Sequence, residues 1–225
     1  MQYQGRIVLT AFIALLVLIL HNANSAFTIA AFVVTLPIAW WLGKQYDIKK
    51  YHAERDPLTN VFNRKVIMEK SFRKLYQRCL RRREKLVVAY IDIDNFKQIN
   101  DCYGHELGDL VLTRTAGILA QTAGKNDYVA RWGGDEFLLL LCCKEESSVN
   151  ELLQRLQRKF NAISKELDTR VSISVGLATA PNEAYLLNDL IRVAEQKMYR
   201  EKVHRHFEQS RGASKKSLHF IRGLK

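Results

Sequence analysis

Arg131-Trp132-Gly133-Gly134-Asp135-Glu136-Phe137 sets two glycines directly ahead of two carboxylates, and an apolar run from Leu138 to Cys143 follows at once. Paired glycines let the chain turn tightly and leave its backbone open to a bulky ligand. The flanking apolar residues read as the strands of a hairpin, so Asp135 and Glu136 stand at its tip. Exposed carboxylate oxygens suit a hard divalent cation, and a cation beside bare backbone suits phosphate. A solvated turn has the same local sequence, so a second segment must decide. Leu86 to Ile91 is an apolar run that ends in Asp92-Ile93-Asp94-Asn95-Phe96-Lys97. A strand delivering carboxylates at its C-terminal end, with a lysine just beyond, suits a metal-bound triphosphate. Only one of Asp92 and Asp94 is expected to share a cation with Asp135. From Asn100 to Asp109 the chain is dense in groups that can read a purine edge, Asn offering donor and acceptor and Asp accepting from ring N–H and amino groups.

The elements that must hold these groups alternate. Periodicity predicts a helix over about 61–82, a strand over 86–92, a helix over about 106–122, strands over 127–132 and 136–143, a helix over about 147–166, a strand over 171–179 and a helix over about 186–204. Strands interleaved with helices around one central hairpin imply an α/β (α+β) fold, a mixed sheet flanked by helices. Leu110, Leu112, Ile118 and Leu119, like Leu152, Leu156 and Phe160, are core stripes with no chemistry implied.

Ahead of this domain, residues 7–20 carry no charge, His21 to Ser25 are polar turn formers, and residues 26–42 are apolar again. These runs read as a membrane hairpin of two short spans, preceding the domain as transmembrane helices, with Trp40 and Trp41 at headgroup level and Arg6, Lys44, Lys49 and Lys50 on the inner side. Inner-membrane lipid is then a partner and the bacterial cytoplasmic membrane the location, with the domain in the cytoplasm. A cleavable signal peptide and a buried soluble hairpin are the competing readings. Residues 43–55 form a helical connector, residues 56–206 the catalytic domain and residues 207–225 a basic tail. Of the net charge of +12, +9 lies beyond residue 50, and the excess collects around Arg78, Arg81, Arg82, Arg83 and Lys85 and in the tail, which read as a solvated helix end and tail, so no nucleic-acid partner is expected. Cys79, Cys102, Cys142 and Cys143 show no metal spacing and read as small apolar fillers in a reducing compartment.

The motifs together resemble the GGDEF family of diguanylate cyclases, which join two GTP molecules into cyclic di-GMP. The resemblance is carried by Asp56-Pro57-Leu58-Thr59-Asn60 with Asn63-Arg64, the Asp92 to Asp109 block, Gly133 to Phe137, the strand Val171 to Ala178, and Met198-Tyr199 with Lys202. It implies a palm-type nucleotidyl-cyclase-like fold, GTP as substrate and a homodimer in second-messenger signalling of the kind linked to biofilms; nothing identifies the downstream cyclic di-GMP receptors. It further implies that Asp92, the backbone carbonyl of Ile93 and Asp135 hold magnesium, with manganese as the alternative. Asp135 would be the general base and Glu136 would support a second metal or its waters. Lys97 and the N–H groups around Phe96 would cradle phosphate, Lys202 would add a cation, and Asn100, His105 and Asp109 would position guanine and ribose beside Gly133 and Gly134. The chain departs from the family pattern at Gly124, where the product-inhibition motif Arg-x-x-Asp has its arginine, and at Lys202-Val203-His204-Arg205-His206, where Lys-x-x-Gly-Arg-Asn is usual. A catalytically weak nucleotide receptor and a membrane-tethered interaction module are the alternatives.

Overall fold

A computed structural model describes residues 3–19 and 25–222. The chain divides into two compact units, Met1–Arg55 and Asp56–Lys225.

In the first unit, α1 (Gln4–Ile19) packs against α2 (Ser25–Glu54). Asp47 joins the two ends: its Oδ1 accepts from the Gly5 N–H at 2.9 Å, and its Oδ2 lies 3.6 Å from Arg6 Nε. A carboxylate at the first turn of α1 satisfies an orphan backbone donor and complements the helix dipole. The expected transmembrane spans need correction. Among the described residues no helix is long and apolar enough to cross a membrane. With 16 residues, α1 rises about 24 Å, short of a hydrocarbon core of about 30 Å. Leu20 and residues 21–24 of the expected turn lie outside the described residues, while Ser25, expected to end that turn, already opens α2. The interval 43–55 continues α2 without a break as far as Glu54.

In the second unit, β1 (Phe62–Asn63), β2 (Lys85–Ile93), β3 (Tyr128–Arg131), β4 (Glu136–Cys143) and β5 (Ile173–Ala180) form one sheet in the order β1-β3-β4-β2-β5. Only β1 runs parallel to its neighbour, so the sheet is mixed. Alternation along β2 divides the core between its two faces. Val87, Ala89, Ile91 and Ile93 pack with α5 (Phe96–Tyr103), α6 (His105–Thr122) and α7 (Glu146–Glu166), through Ile99, Leu119 and Phe160. Leu86, Val88 and Tyr90 pack with α4 (Phe72–Arg82) and α8 (Leu187–Arg222), through Leu75, Leu190 and Met198.

Three elements differ from expectation. The helix predicted over 61–82 is broken: Asn60 takes a left-handed conformation (φ 58°), β1 follows, and the Asn63 side chain accepts from the Val66 N–H to cap a short α3 (Arg64–Val66) that widens into a π turn before α4. At the other end α8 passes residue 204, because Arg205 stands where a helix-ending glycine is usual. The cysteines also need correction: Cys79 of α4 and Cys142 of β4 form a disulfide with Cα atoms 5.6 Å apart, while Cys143, on the opposite side of the strand, stays free and buried. A separation of 63 residues hides that pairing from sequence periodicity.

Candidate active site

The β2–β4 ladder sets the geometry. Its register pairs Asp92 with Glu136 and Ile91 with Phe137, bringing the two carboxylate segments side by side at one end of the sheet. Beyond the last rung, the Ile93 N–H donates to the Asp135 carbonyl at 3.3 Å, and the Trp132 N–H donates to the Glu136 carbonyl at 2.8 Å to close the turn. A Cβ on Gly133 would meet Glu136 Oε2 at 2.5 Å, so the glycine lets Glu136 fold back against the turn; a Cβ on Gly134 would meet nothing within 4 Å, leaving that backbone open. Tyr90, on the same face of β2 as Asp92, lies beside Glu136, and burial followed by the neighbouring Glu136 pushes its pKa well up, so its hydroxyl stays protonated.

Arg131 ties the turn to the start of the domain. Its Nε and Nη2 donate to the Gly134 carbonyl at 3.0 and 2.7 Å, and its Nη1 donates to Asp56 Oδ1 at 3.1 Å. Asp56 Oδ1 also accepts from the Thr59 N–H and hydroxyl at 2.9 and 2.7 Å. Burial alone would raise the Asp56 pKa, but the Thr59 bonds and Arg131 outweigh it and hold the carboxyl below its usual range.

The fourth charge arrives from α8. Gly176 in β5 admits this helix: a Cβ there would collide with the backbone of Ala194 and Met198. The close approach sets Lys202 Nζ 2.6 Å from Asp92 Oδ1. Asp92 is 6% exposed, and burial pushes its pKa up; Lys202 opposes the rise, while the charges of Asp135 and Glu136 add to it. Burial would lower Lys202, but its bond to Asp92 and the charges of Asp92, Asp135 and Asp94 leave it raised. Lys202 thus bonds Asp92 directly and lies in the field of Asp135 and Asp94. A cavity of about 680 Å³ opens here, lined by Asp92, Glu136, Glu195, Arg192, Arg200 and Lys202.

Asp94 is occupied elsewhere. It is 8% exposed and accepts from the Ser172 and Ser174 hydroxyls at 2.6 Å each, with Arg205 Nη1 at 3.5 Å. Arg205 also donates to the Ile173 carbonyl at 2.7 Å and pairs with Glu201, which secures α8 to β5 near Lys202. Lys97 lies exposed in the first turn of α5, after Asn95 in a left-handed conformation (φ 56°). Asn100 packs against Gly108, which has no side chain to exclude it. His105 opens α6 and, like Asp109, is exposed. The fold therefore gathers Asp92, Asp135, Glu136 and Lys202; among the described residues no side-chain bond links Lys97, His105 or Asp109 to them. Nor, among these residues, do three His, Cys, Asp or Glu side chains converge as a ready metal cage.

At the departed inhibition motif, Asp127 Oδ2 accepts from the Gly124 N–H at 2.8 Å, and Arg78 of α4 reaches Asp127 Oδ1 at 3.4 Å and the Asn126 carbonyl at 3.0 Å. Sequence reading did not foresee Arg78 there, nor the contacts of Tyr90, Arg131 and Gly176. Tyr90 and Gly176 carried a signal: a tyrosine two residues before Asp92 shares its face, and a glycine inside a strand marks close approach.

Residues 53–207 match the family described as "Diguanylate cyclase, GGDEF domain", and the chain belongs to that family. It is 33% identical over 153 residues to the bifunctional diguanylate cyclase/cyclic di-GMP phosphodiesterase MucR of Pseudomonas aeruginosa, covering 67% of this chain and 22% of that protein. It is 30% identical over 160 residues to the probable diguanylate cyclase DgcT of Escherichia coli, covering 69% of this chain and 35% of that protein. The chain thus spans about a third or less of the length of these two relatives. Among solved structures, a microbial GGDEF domain described in its interaction with cyclic di-GMP superposes with a TM-score of 0.59 at 32% identity, covering 69% of this chain and 94% of that one. The mixed five-stranded sheet with flanking helices is the palm-like architecture of this family.

Proposed function

We propose that the protein is a diguanylate cyclase, converting two GTP into cyclic di-GMP and two pyrophosphates. The observation that carries this reading is the pairing of Asp92 with Glu136 across β2 and β4, with Lys202 on Asp92 and the open Gly134 backbone alongside. In each of two equivalent steps, the 3′ hydroxyl of one GTP attacks the α-phosphorus of the other and pyrophosphate departs. Carboxylate oxygens brought together at one end of the sheet fit a hard divalent cation such as magnesium. Asp92, Asp135 and Glu136, with the Ile93 carbonyl, would hold that cation, which neutralises the triphosphate and acidifies the attacking hydroxyl. Asp135 accepts the hydroxyl proton. Lys202 exchanges Asp92 for a phosphate oxygen, while Lys97 and the first turn of α5 take the remaining phosphate charge. Asn100, His105 and Asp109 receive guanine and ribose.

Each domain carries one such cluster and the reaction joins two nucleotides, so two copies must face one another in an isologous homodimer. Membrane anchoring is proposed through the exposed apolar side chains of the first unit, Val8, Phe12, Leu15, Val33, Val34 and Trp41, rather than through complete spans. Sedimentation with vesicles of bacterial inner-membrane lipid tests it; a full chain left in the supernatant would contradict it.

A second reading, a GTP or cyclic di-GMP receptor without turnover, draws on Arg205. The chain's arginine in the altered C-terminal motif is engaged by Ile173, Asp94 and Glu201 rather than free for phosphate. Incubating the purified full chain with GTP and magnesium, then separating the nucleotides, distinguishes the two: cyclic di-GMP supports the cyclase, and bound but unconverted GTP supports the receptor.

A further inference from the structure

A cavity of about 710 Å³ in the second unit does not contain the catalytic carboxylates. It lies between the C-terminal half of α7, the segment leading into β5, and Arg205 of α8. Three of its lining residues, Lys165, Arg170 and Arg205, are cations, and none is acidic. Several cations elsewhere in the domain are matched by carboxylates, as in Arg78–Asp127, Arg131–Asp56, Lys197–Glu183 and Lys202–Asp92, and Arg205 is itself paired with Glu201. Lys165 and Arg170 form no ion pair among the described residues, and Glu166, the carboxylate next to Lys165 in sequence, is drawn off by Arg114 at 2.7 Å.

The walls are fixed in advance. Ser164 Oγ accepts from the Val171 N–H at 2.9 Å and donates to the Val171 carbonyl at 2.8 Å, clamping the end of α7 to the segment entering β5. Ser172 is anchored to Asp94, and Arg205 to the Ile173 carbonyl. Gln157 Nε2 donates to Asn161 Oδ1 at 3.2 Å, which fixes the Asn161 amide so that its N–H groups point away from that bond. Two cations without a carboxylate partner among the described residues, Lys165 and Arg170, beside an amide donor favour an anion rich in acceptor oxygens. The volume is that of a mononucleotide pocket rather than of a single inorganic ion.

We propose that this cleft is a second anion site, distinct from the catalytic cluster, which takes a phosphate anhydride: pyrophosphate, or the polyphosphate tail of a nucleotide. The charged heads of Lys165 and Arg170 bind the anhydride and Asn161 donates to it, while Arg205, already held by Ile173, Asp94 and Glu201, forms the inner wall.

Calorimetric titration of the full chain with metal-free pyrophosphate, and separately with GTP, tests the assignment in three backgrounds. Wild type should bind pyrophosphate. Lys97→Ala/Lys202→Ala, which weakens the catalytic phosphate contacts, should retain one pyrophosphate site with affinity within about twofold of the cleft's wild-type value. Lys165→Glu/Arg170→Glu should lose that site by at least about tenfold, with an intermediate loss in Lys165→Gln/Arg170→Gln. Both substituted residues are exposed, and an unchanged melting temperature separates lost binding from lost fold. Within the Lys97/Lys202 background, GTP binding at least about tenfold tighter than pyrophosphate identifies a nucleotide as the ligand, and equal or weaker GTP binding identifies the free anhydride. The proposal is overturned if that background binds neither ligand, or if charge reversal at Lys165 and Arg170 leaves its binding unchanged. Neither outcome bears on whether the carboxylate cluster makes cyclic di-GMP, so the two readings fail separately.

Discussion

Gly176→Ala probes how closely the position of Lys202 depends on helix packing. The added Cβ falls inside van der Waals contact with the Ala194 carbonyl and the Met198 N–H, both backbone atoms that no rotamer change can move. Restoring ordinary contact requires α8 to lift from β5 by on the order of 1 Å. Lys202 lies one turn beyond Met198 and reaches Asp92 at 2.6 Å, so a lift of that size breaks a charge-assisted bond whose useful range is a few tenths of an ångström. Overpacking of this kind costs about 1–3 kcal/mol, equivalent to a fall in Tm of roughly 2–12 °C for a chain of this size. Misplacement by about 1 Å predicts a loss of turnover of about 100-fold. The assay pairs pyrophosphate release from GTP with a thermal melt. Gly117→Ala is the control: its Cβ meets nothing within 4 Å on an exposed position of α6, so turnover should be unchanged and stability should rise by about 0.5–1 kcal/mol. A Gly176→Ala protein with wild-type turnover and melting would refute the claim that this contact positions Lys202.

The other predictions concern the domain entrance, the inhibition motif and the first unit. Asp56 has a depressed folded pKa, so its stabilising contribution is present above the unfolded carboxylate pKa of about 3.9 and is lost as pH falls through the folded value. Asp56→Asn should therefore lower Tm at neutral pH and flatten the decline below about pH 4; an acid melting profile identical to wild type would count against the Arg131–Asp56 link. Cyclic di-GMP at low micromolar concentration should barely change the initial rate, because Gly124 removes one arginine and Asp127 is already held by Arg78; strong inhibition abolished by Asp127→Ala would contradict this. Deleting residues 1–42 should make specific activity climb with protein concentration, since tethering raises the effective concentration for pairing. Activity per molecule independent of dilution would assign dimerisation to the catalytic domain or to the connector at 43–55.

Short-range chemistry made much of this protein legible. The apolar run of β2, its terminal Asp92 and the two-glycine turn before Asp135 lie in continuous segments, and their places in the fold follow from local spacing. The helix over 61–82 failed because the Asn63 cap and the π turn interrupt a hydrophobic period that looks continuous. The contacts that were missed are long-range. Arg78 meets Asp127 across 49 residues, Arg131 meets Asp56 across 75, and Lys202 meets Asp92 across 110, so their partners are defined only once the sheet order is known. The spans misled because 14 uncharged residues resemble a membrane helix in composition while α1 is too short to cross. The Cys79–Cys142 disulfide escaped for the same reason as the ion pairs: α4 and β4 meet only through tertiary packing.

The central claim, that the Asp92/Asp135/Glu136 cluster condenses GTP, is tested most directly by quantifying products from wild type and Asp135→Asn under saturating GTP and magnesium. The substitution removes charge and proton acceptance at the turn while keeping side-chain shape, so the fold should persist by circular dichroism. Wild type should release cyclic di-GMP and pyrophosphate in a ratio of about 1:2, as the joining of two nucleotides requires. The variant should bind GTP and make no detectable product. Near-normal synthesis by Asp135→Asn, or no cyclic di-GMP from folded wild type that binds GTP, would contradict the account.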